Sequence, residues 1–273
     1  MLLDFPRLTK PLQLTLITIA LATCGFLLLP IVFIVALSFG SSQWLVFPPP
    51  SWTLNWYQEL FNDSTWLDAA WQSLKVALWV TLFSVLLGYV TALTLARGRF
   101  KRKEVLRAFF LTPMVLPVVV LAVALYAVFL KLGLNGSMFS FVLSHLIIAF
   151  PFAFIAIANS FASYDFALED AARVCGANEW QIQTQVTMPA VRLGIASAAV
   201  FSFLISWDEV VLSIFMSAPG VETLPVKIWS ALRQDLSPVI AAASAILIGV
   251  TVLIMILIAV LKNKINQNSF PQN

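Results

Sequence analysis

The stretch FALEDAARVCGANEWQIQTQVTMPA, residues 166–190, is acidic at its start, glutamine-rich at its end and interrupted by a single glycine. It sits in a chain of 273 residues that is 60% hydrophobic and 11% charged. A water-soluble domain of this size carries roughly a quarter of its residues as charges, so there is too little polar surface here for a globule in water. Apolar runs of about twenty residues, the length that crosses a bilayer, recur on both sides of the polar stretch. The composition therefore specifies an all-α integral membrane protein, and the island at 166–190 is the segment that needs a reason.

Working outward, charge-free windows place six spans at about 12–39, 73–96, 108–130, 138–161, 193–216 and 239–261 within a single transmembrane domain, 1–273. Pro30, Pro113, Pro117 and Pro151 fall inside spans, where neighbouring helices can satisfy the carbonyls that a proline kink frees. The run from Leu12 to Phe39 is too long for the apolar part of a cleaved signal peptide and reads as the first retained span. Of the 16 Lys and Arg residues, twelve fall on the side of the two termini and the island: Arg7, Lys10, Arg97, Arg99, Lys101, Arg102, Lys103, Arg107, Arg173, Arg192, Lys262 and Lys264. Lys75, Lys131, Lys227 and Arg233 fall on the other. The positive-inside bias predicts that both termini and the connector 162–192 are cytoplasmic. The net charge of +3 then belongs to orienting loops rather than to a nucleic-acid surface. Trp44, Trp52, Trp56, Trp66 and Trp71 crowd the first outer loop as an interfacial belt, and residues 54–61 read as a short surface helix.

The island carries its own punctuation. Asp165 can cap a helix through LEDAARVC by accepting from free N–H groups. Gly176 falls where a helix end takes a left-handed residue. Asn178 with Gln181 three residues on forms a capping-box pattern for a second helix, which Pro189 is expected to end, or at least to disrupt. The segment reads as a helix–glycine turn–helix whose first helix exposes Glu169, Asp170 and Arg173 while Ala171 and Ala172 leave room for a close neighbour. A solvated connector is the plain alternative, but two adjacent spans need fewer than its 31 residues, and long ordered loops are commonly functional.

The spacing Asp170-Ala171-Ala172, three residues, Gly176, nine residues, Val186-Thr187-Met188-Pro189 resembles the signature loop of ABC importer permeases. That family pattern reads Glu-Ala-Ala, three residues, Gly, nine residues, then Ile, one residue and Leu-Pro; here Asp, Val and Met replace Glu, Ile and Leu. The resemblance implies six transmembrane helices and a cytoplasmic coupling loop that docks on a separate ATPase subunit. It carries the docking role to Glu169, Asp170, Ala171, Ala172, Gly176 and Pro189, and leaves open which of the two adjacent carboxylates faces that subunit. It also implies a second permease subunit, two ATPase subunits, an external substrate-binding protein and a bacterial inner-membrane location. The chain contains no G-x-x-x-x-G-K-[ST] phosphate loop, so ATP and magnesium are expected on the partner, no cofactor is expected here, and the chain reads as a transport subunit rather than an enzyme.

Intramembrane charge is costly and points to function. The fifth span holds Asp208 and Glu209 in FSFLISWDEVVLSIF, with Asp208 about 22 Å from the island end of a continuous helix. Gly194, Ala198, Ser202 and Ser206 form a small-residue row suited to close packing; on that helix Glu209 lies within the row and Asp208 about 100° away. The carboxylates either pair within the bundle or draw a cation along a water-filled path, where Trp207 could add cation–π attraction. The stretch SFLISWDEVVLSIFMSAPGVETLPVKIWS is similar to the fifth-span region of spermidine/putrescine permeases, nearest the C-type subunit, which usually shows Leu with Asp-Asp in place of Trp207 with Asp-Glu. The resemblance implies a polyamine substrate, with ferric iron, opines and other small solutes as alternatives in the same branch. A stand-alone secondary transporter would show inverted repeats with broken helices at ion sites, and no internal repeat is visible. The single histidine, His145, reads as a packing residue, as do Cys24 and Cys175, so neither a metal cluster nor a catalytic constellation is expected.

Overall fold

The computed structural model describes residues 10–98, 100–234 and 237–267; Arg7 and Arg99, which enter the charge count, lie outside them. The helices are α1 (Lys10–Ser38), α2 (Asn55–Asn62), α3 (Ser64–Arg97), α4 (Lys103–Leu111), α5 (Val118–Lys131), α6 (Met138–Ala162) and α7 (Ala167–Val174). They continue as α8 (Glu179–Gln181), α9 (Met188–Ala190), α10 (Arg192–Trp207), α11 (Val211–Met216), α12 (Leu224–Gln234) and α13 (Val239–Gln267). A 3-10 turn, Thr112–Met114, follows α4, and a π turn, Ile182–Thr187, joins α8 to α9. Among the described residues there is no strand. Four helices (α1, α3, α6 and the first part of α13) are long and apolar enough to cross a membrane, and the number reaches six if each of two bent helix pairs is one span.

Contacts group the chain into two units, 1–63 with 231–249 and 64–230 with 250–273. In the first, α1 presents apolar side chains outward along its length, and its one buried residue is Ser38. The chain after it is tied down by polar contacts. Ser38 Oγ and Tyr57 Oη lie 2.7 Å apart, Trp56 Nε1 donates to the Gly40 carbonyl at 2.5 Å, and Thr53 N–H donates to the Phe39 carbonyl at 2.7 Å. These bonds fix α2 at the place expected for a short helix.

The second unit is built on α3, α6 and α10, which pack on one another. A Cβ at Gly194 would stand 2.9 Å from the Ala156 carbonyl oxygen and would clash with Ser160 Oγ, so the small-residue row lets α10 close on α6, as packing in lipid requires. Gly194, Ala198, Ser202 and Ser206 are all buried. Tyr89, Leu95, Phe154, Ile157 and Phe161 form the core at the island end; Val76, Val80, Phe129, Phe141 and Met216 form a second cluster. At the far end, Leu224 N–H donates to Ser73 Oγ at 2.8 Å, and Lys227 pairs with Glu222 at 3.4 Å over the Trp66 ring.

Three expectations about the spans change. The second begins at Ser64 rather than at 73, since the amphipathic turn before Ser73 continues the helix and buries Trp66 and Ala69. The third, expected as one span over 108–130 with proline kinks tolerated, is two helices bent by 90°. Pro113 and Pro117 remove two donors; Thr112 stays helical before Pro113, and the chain leaves the helix at Pro117, which is extended at ψ 123°. Pro30 and Pro151, by contrast, stay inside α1 and α6. The fifth, expected unbroken over 193–216, is interrupted between Trp207 and Val211.

Candidate functional site

The island folds by the local rules read from its sequence. Asp165 Oδ1 accepts from Ala167 N–H at 2.9 Å in a turn just before α7, whose N-cap position is Phe166 rather than Asp165. At the end, Gly176 N–H donates to the Arg173 carbonyl and Ala177 N–H to the Ala172 carbonyl, both at 3.0 Å. This closing pattern needs a left-handed residue, and Gly176 supplies it at φ 85°. Asn178 and Gln181 exchange reciprocal hydrogen bonds at 2.9 Å. Pro189 disrupts the second helix, as expected, without ending it. The missing N–H is absorbed one turn earlier by the π turn, where Met188 N–H reaches the Gln183 carbonyl. The helical run continues to Ala190, and a 74° bend at Val191 leads into α10.

The adjacent carboxylates of α7 face different surroundings, Glu169 buried and Asp170 exposed. Glu169, expected on the exposed side, is 2% exposed. It is paired with Arg97 at the end of α3, and its Oε1 accepts from Thr187 Oγ1 at 2.6 Å and from Tyr164 Oη at 3.4 Å. Burial pushes the Tyr164 hydroxyl up from its ordinary pKa, so it stays a neutral donor. Asp170, one helical step of about 100° away, is 78% exposed and bonded to Arg173 Nη1 at 2.7 Å. Arg173 Nε also donates to Glu179 at 2.8 Å. Those hydrogen bonds hold the Glu179 carboxyl below the usual carboxylate range. The contribution of this ion pair is therefore present at neutral pH and lost as pH falls through that lowered range. Leu168, Val174 and Trp180 stand exposed beside this fork, Val174 at 89% and Trp180 at 74%. An exposed apolar rim around a charged centre is the composition of a protein-binding surface.

The second candidate region is the break in the fifth helix. Asp208 caps the end of α10 with its N–H donating to the Leu204 carbonyl at 3.1 Å, is exposed, and its carboxylate makes no hydrogen bond or ion pair among the described residues. Glu209 Oε1 accepts from Leu212 N–H at 2.9 Å, holding the start of α11; a side chain that competes in this way for a backbone donor favours a helix interruption. The straight-helix placement of the pair is therefore replaced. Glu209 is a backbone-capping group, and Asp208 has a free carboxylate. Trp207 is buried, stacked on Phe203 at 5.7 Å between ring centres, with no partner for its Nε1 among the described residues, so its face is not open to a cation.

His145, which sequence reasoning set aside, holds this break together. It is fully buried on α6, with Nδ1 2.9 Å from Ser206 Oγ of α10 and Nε2 2.9 Å from Ser213 Oγ of α11. One ring spans both sides of the interruption. No signal in one sequence could pair residues 61 and 68 positions apart. Replacing His145 with Ala removes two buried hydrogen bonds and leaves a cavity, an expected loss of about 1–3 kcal/mol, read as a lower Tm of the purified chain in detergent.

The family model described as "Binding-protein-dependent transport system inner membrane component" matches residues 84–267, more than half of the chain. The chain belongs to this family. The permease is 32% identical over 238 residues to the spermidine/putrescine transport system permease protein PotC of Escherichia coli (strain K12), covering 86% of this chain and 89% of that one. It is 29% identical over 240 residues to the putrescine transport system permease protein PotI of the same strain, covering 85% of each. Among solved structures, a bacterial ABC transporter involved in the import of the acidic polysaccharide alginate matches with a TM-score of 0.67 at 17% identity, over 94% of this chain and 99% of the other. The MetNI methionine ABC transporter matches with a TM-score of 0.59 at 17% identity, over 73% and 95%. The permease thus has the fold of ABC transporter membrane subunits. It is a multi-pass transport subunit rather than an enzyme.

Proposed function

We propose that this permease lies in a bacterial inner membrane, with both termini and the island cytoplasmic, and forms the path along which a polyamine such as putrescine or spermidine is imported. An external binding protein delivers the solute, a second permease completes the path, and two ATPase subunits, which hold ATP and magnesium, drive it. The island is the surface on which one ATPase subunit docks. The observation that carries the substrate reading is the free, exposed Asp208 carboxylate at a helix break inside an apolar span. A charge in that setting is retained for a partner, and an ammonium group is the complementary one. The polyamine permeases among the relatives support the same class of solute.

The test is uptake of labelled putrescine and spermidine, beside an opine and ferric iron, by the assembled importer. Saturable polyamine uptake supports the reading; uptake of the opine or of iron alone would replace it with the other solute class of the same permease type.

The docking reading makes a local prediction. Nothing lies within 4 Å of a Cβ built at Gly176, so only its positive φ resists substitution. Gly176→Val should strain the turn by about 1–2 kcal/mol and lower the ATPase activity stimulated by loaded binding protein, while the amount of permease in the membrane is unchanged. Full stimulation in this variant would mean that the turn geometry does not matter for docking.

A further inference from the structure

The buried face of α7 offers a second role, distinct from docking. Glu169 has both oxygens engaged: Oε2 with Arg97 of α3 and, at 3.8 Å, with Arg173, and Oε1 with Thr187 and Tyr164. α3 also reaches the island a second time, through Tyr89 Oη, which donates to Gln183 Oε1 of the π turn at 2.7 Å. Both ties run from one long helix to the two halves of the island. α7 itself packs on the π turn, and Phe166 at its start packs in the same apolar cluster as Leu95 of α3, so the ion pair lies beside an apolar contact at the end of α3.

A carboxylate this deeply buried is held in a low-dielectric setting where its pairing is strong and its separation costly. The Asp170–Arg173–Glu179 fork is solvent-exposed, where salt and water weaken such pairs. The island therefore has a compliant outer face and a stiff inner one. Given the docking reading, we propose that the Arg97–Glu169 pair is the strut through which displacement of the docked island moves α3, with Glu169 and Arg97 acting as positioning residues rather than as contacts to the ATPase. A strut must carry load in both directions, and an ion pair clasped by two further hydroxyl groups resists being pulled apart as well as being compressed.

The experiment uses the assembled importer in vesicles with its binding protein and labelled putrescine. Three quantities are read: the ATPase subunit retained on purification, ATP hydrolysis stimulated by loaded binding protein, and putrescine moved per ATP. Glu169→Gln and Arg97→Gln should each retain the ATPase subunit yet lower putrescine moved per ATP by about tenfold, within the usual range of coupling between sites. The swapped pair Arg97→Glu with Glu169→Arg should regain part of the lost coupling. Should a single variant fail to reach the membrane, the double variant Arg97→Gln with Glu169→Gln, which leaves no unpaired buried charge, is read in its place. Release of the ATPase subunit by Glu169→Gln would make Glu169 a docking residue and overturn the proposal, as would unchanged transport per ATP. Retention of the subunit by a variant of the outer face would instead strike the docking reading, so the two failures are distinguishable.

Discussion

Vesicles carrying the Asp208→Asn permease take up putrescine at least about tenfold more slowly than the unaltered importer, the scale by which a single-sign cleft in low-dielectric walls enriches its counter-ion. Binding-protein affinity for putrescine stays the same, because the change lies in the membrane subunit. The neighbouring residue provides the control. Glu209→Gln keeps an amide oxygen able to accept from Leu212 N–H, so the start of α11 is preserved and uptake falls by much less. Equal losses in the two variants would mean that the break itself, and not the free carboxylate, is what transport needs.

The second large effect concerns the outer face of the island. Replacing both Leu168 and Val174 with Asp puts charge into the exposed apolar rim beside Asp170. The few residues that anchor an interface cost about 2 kcal/mol or more each when lost, and an unpaired charge buried there adds a desolvation cost, so affinity for the ATPase subunit should fall by at least about a hundredfold, and the subunit should be lost on purification. The fold of the permease is expected to survive, since both side chains already face outward. Retention of the subunit at normal affinity would place docking elsewhere.

Much of this architecture is legible in local sequence rules because it is made by local forces. The local turn at Asp165, the cap at Asn178 and the turn at Gly176 depend on residues only a few positions apart, and α6 and the start of α13 fall at the expected residues, Met138 and Val239. What the sequence conceals is set by partners distant in the chain. Arg97 entered the reading only as an orienting loop charge, and Glu169 as an exposed docking acid, yet they meet across 72 positions. The helix-wheel placement of Glu209 assumed an unbroken fifth span; the interruption depends on a carboxylate that caps α11 and on a histidine of α6 that bridges it. The 90° bend in the third span had a visible cause, the two prolines at 113 and 117, but a hydropathy window registers composition and not direction.

The account stands most directly on ATP-driven movement of a polyamine through this subunit. The deciding measurement is accumulation of labelled putrescine in vesicles that contain the assembled importer, loaded binding protein outside and a supply of ATP on the island side. Accumulation above the external concentration that stops when ATP is withheld or the ATPase subunit is left out is the predicted result. Accumulation by the permease alone, driven by an ion gradient and indifferent to ATP, would contradict it.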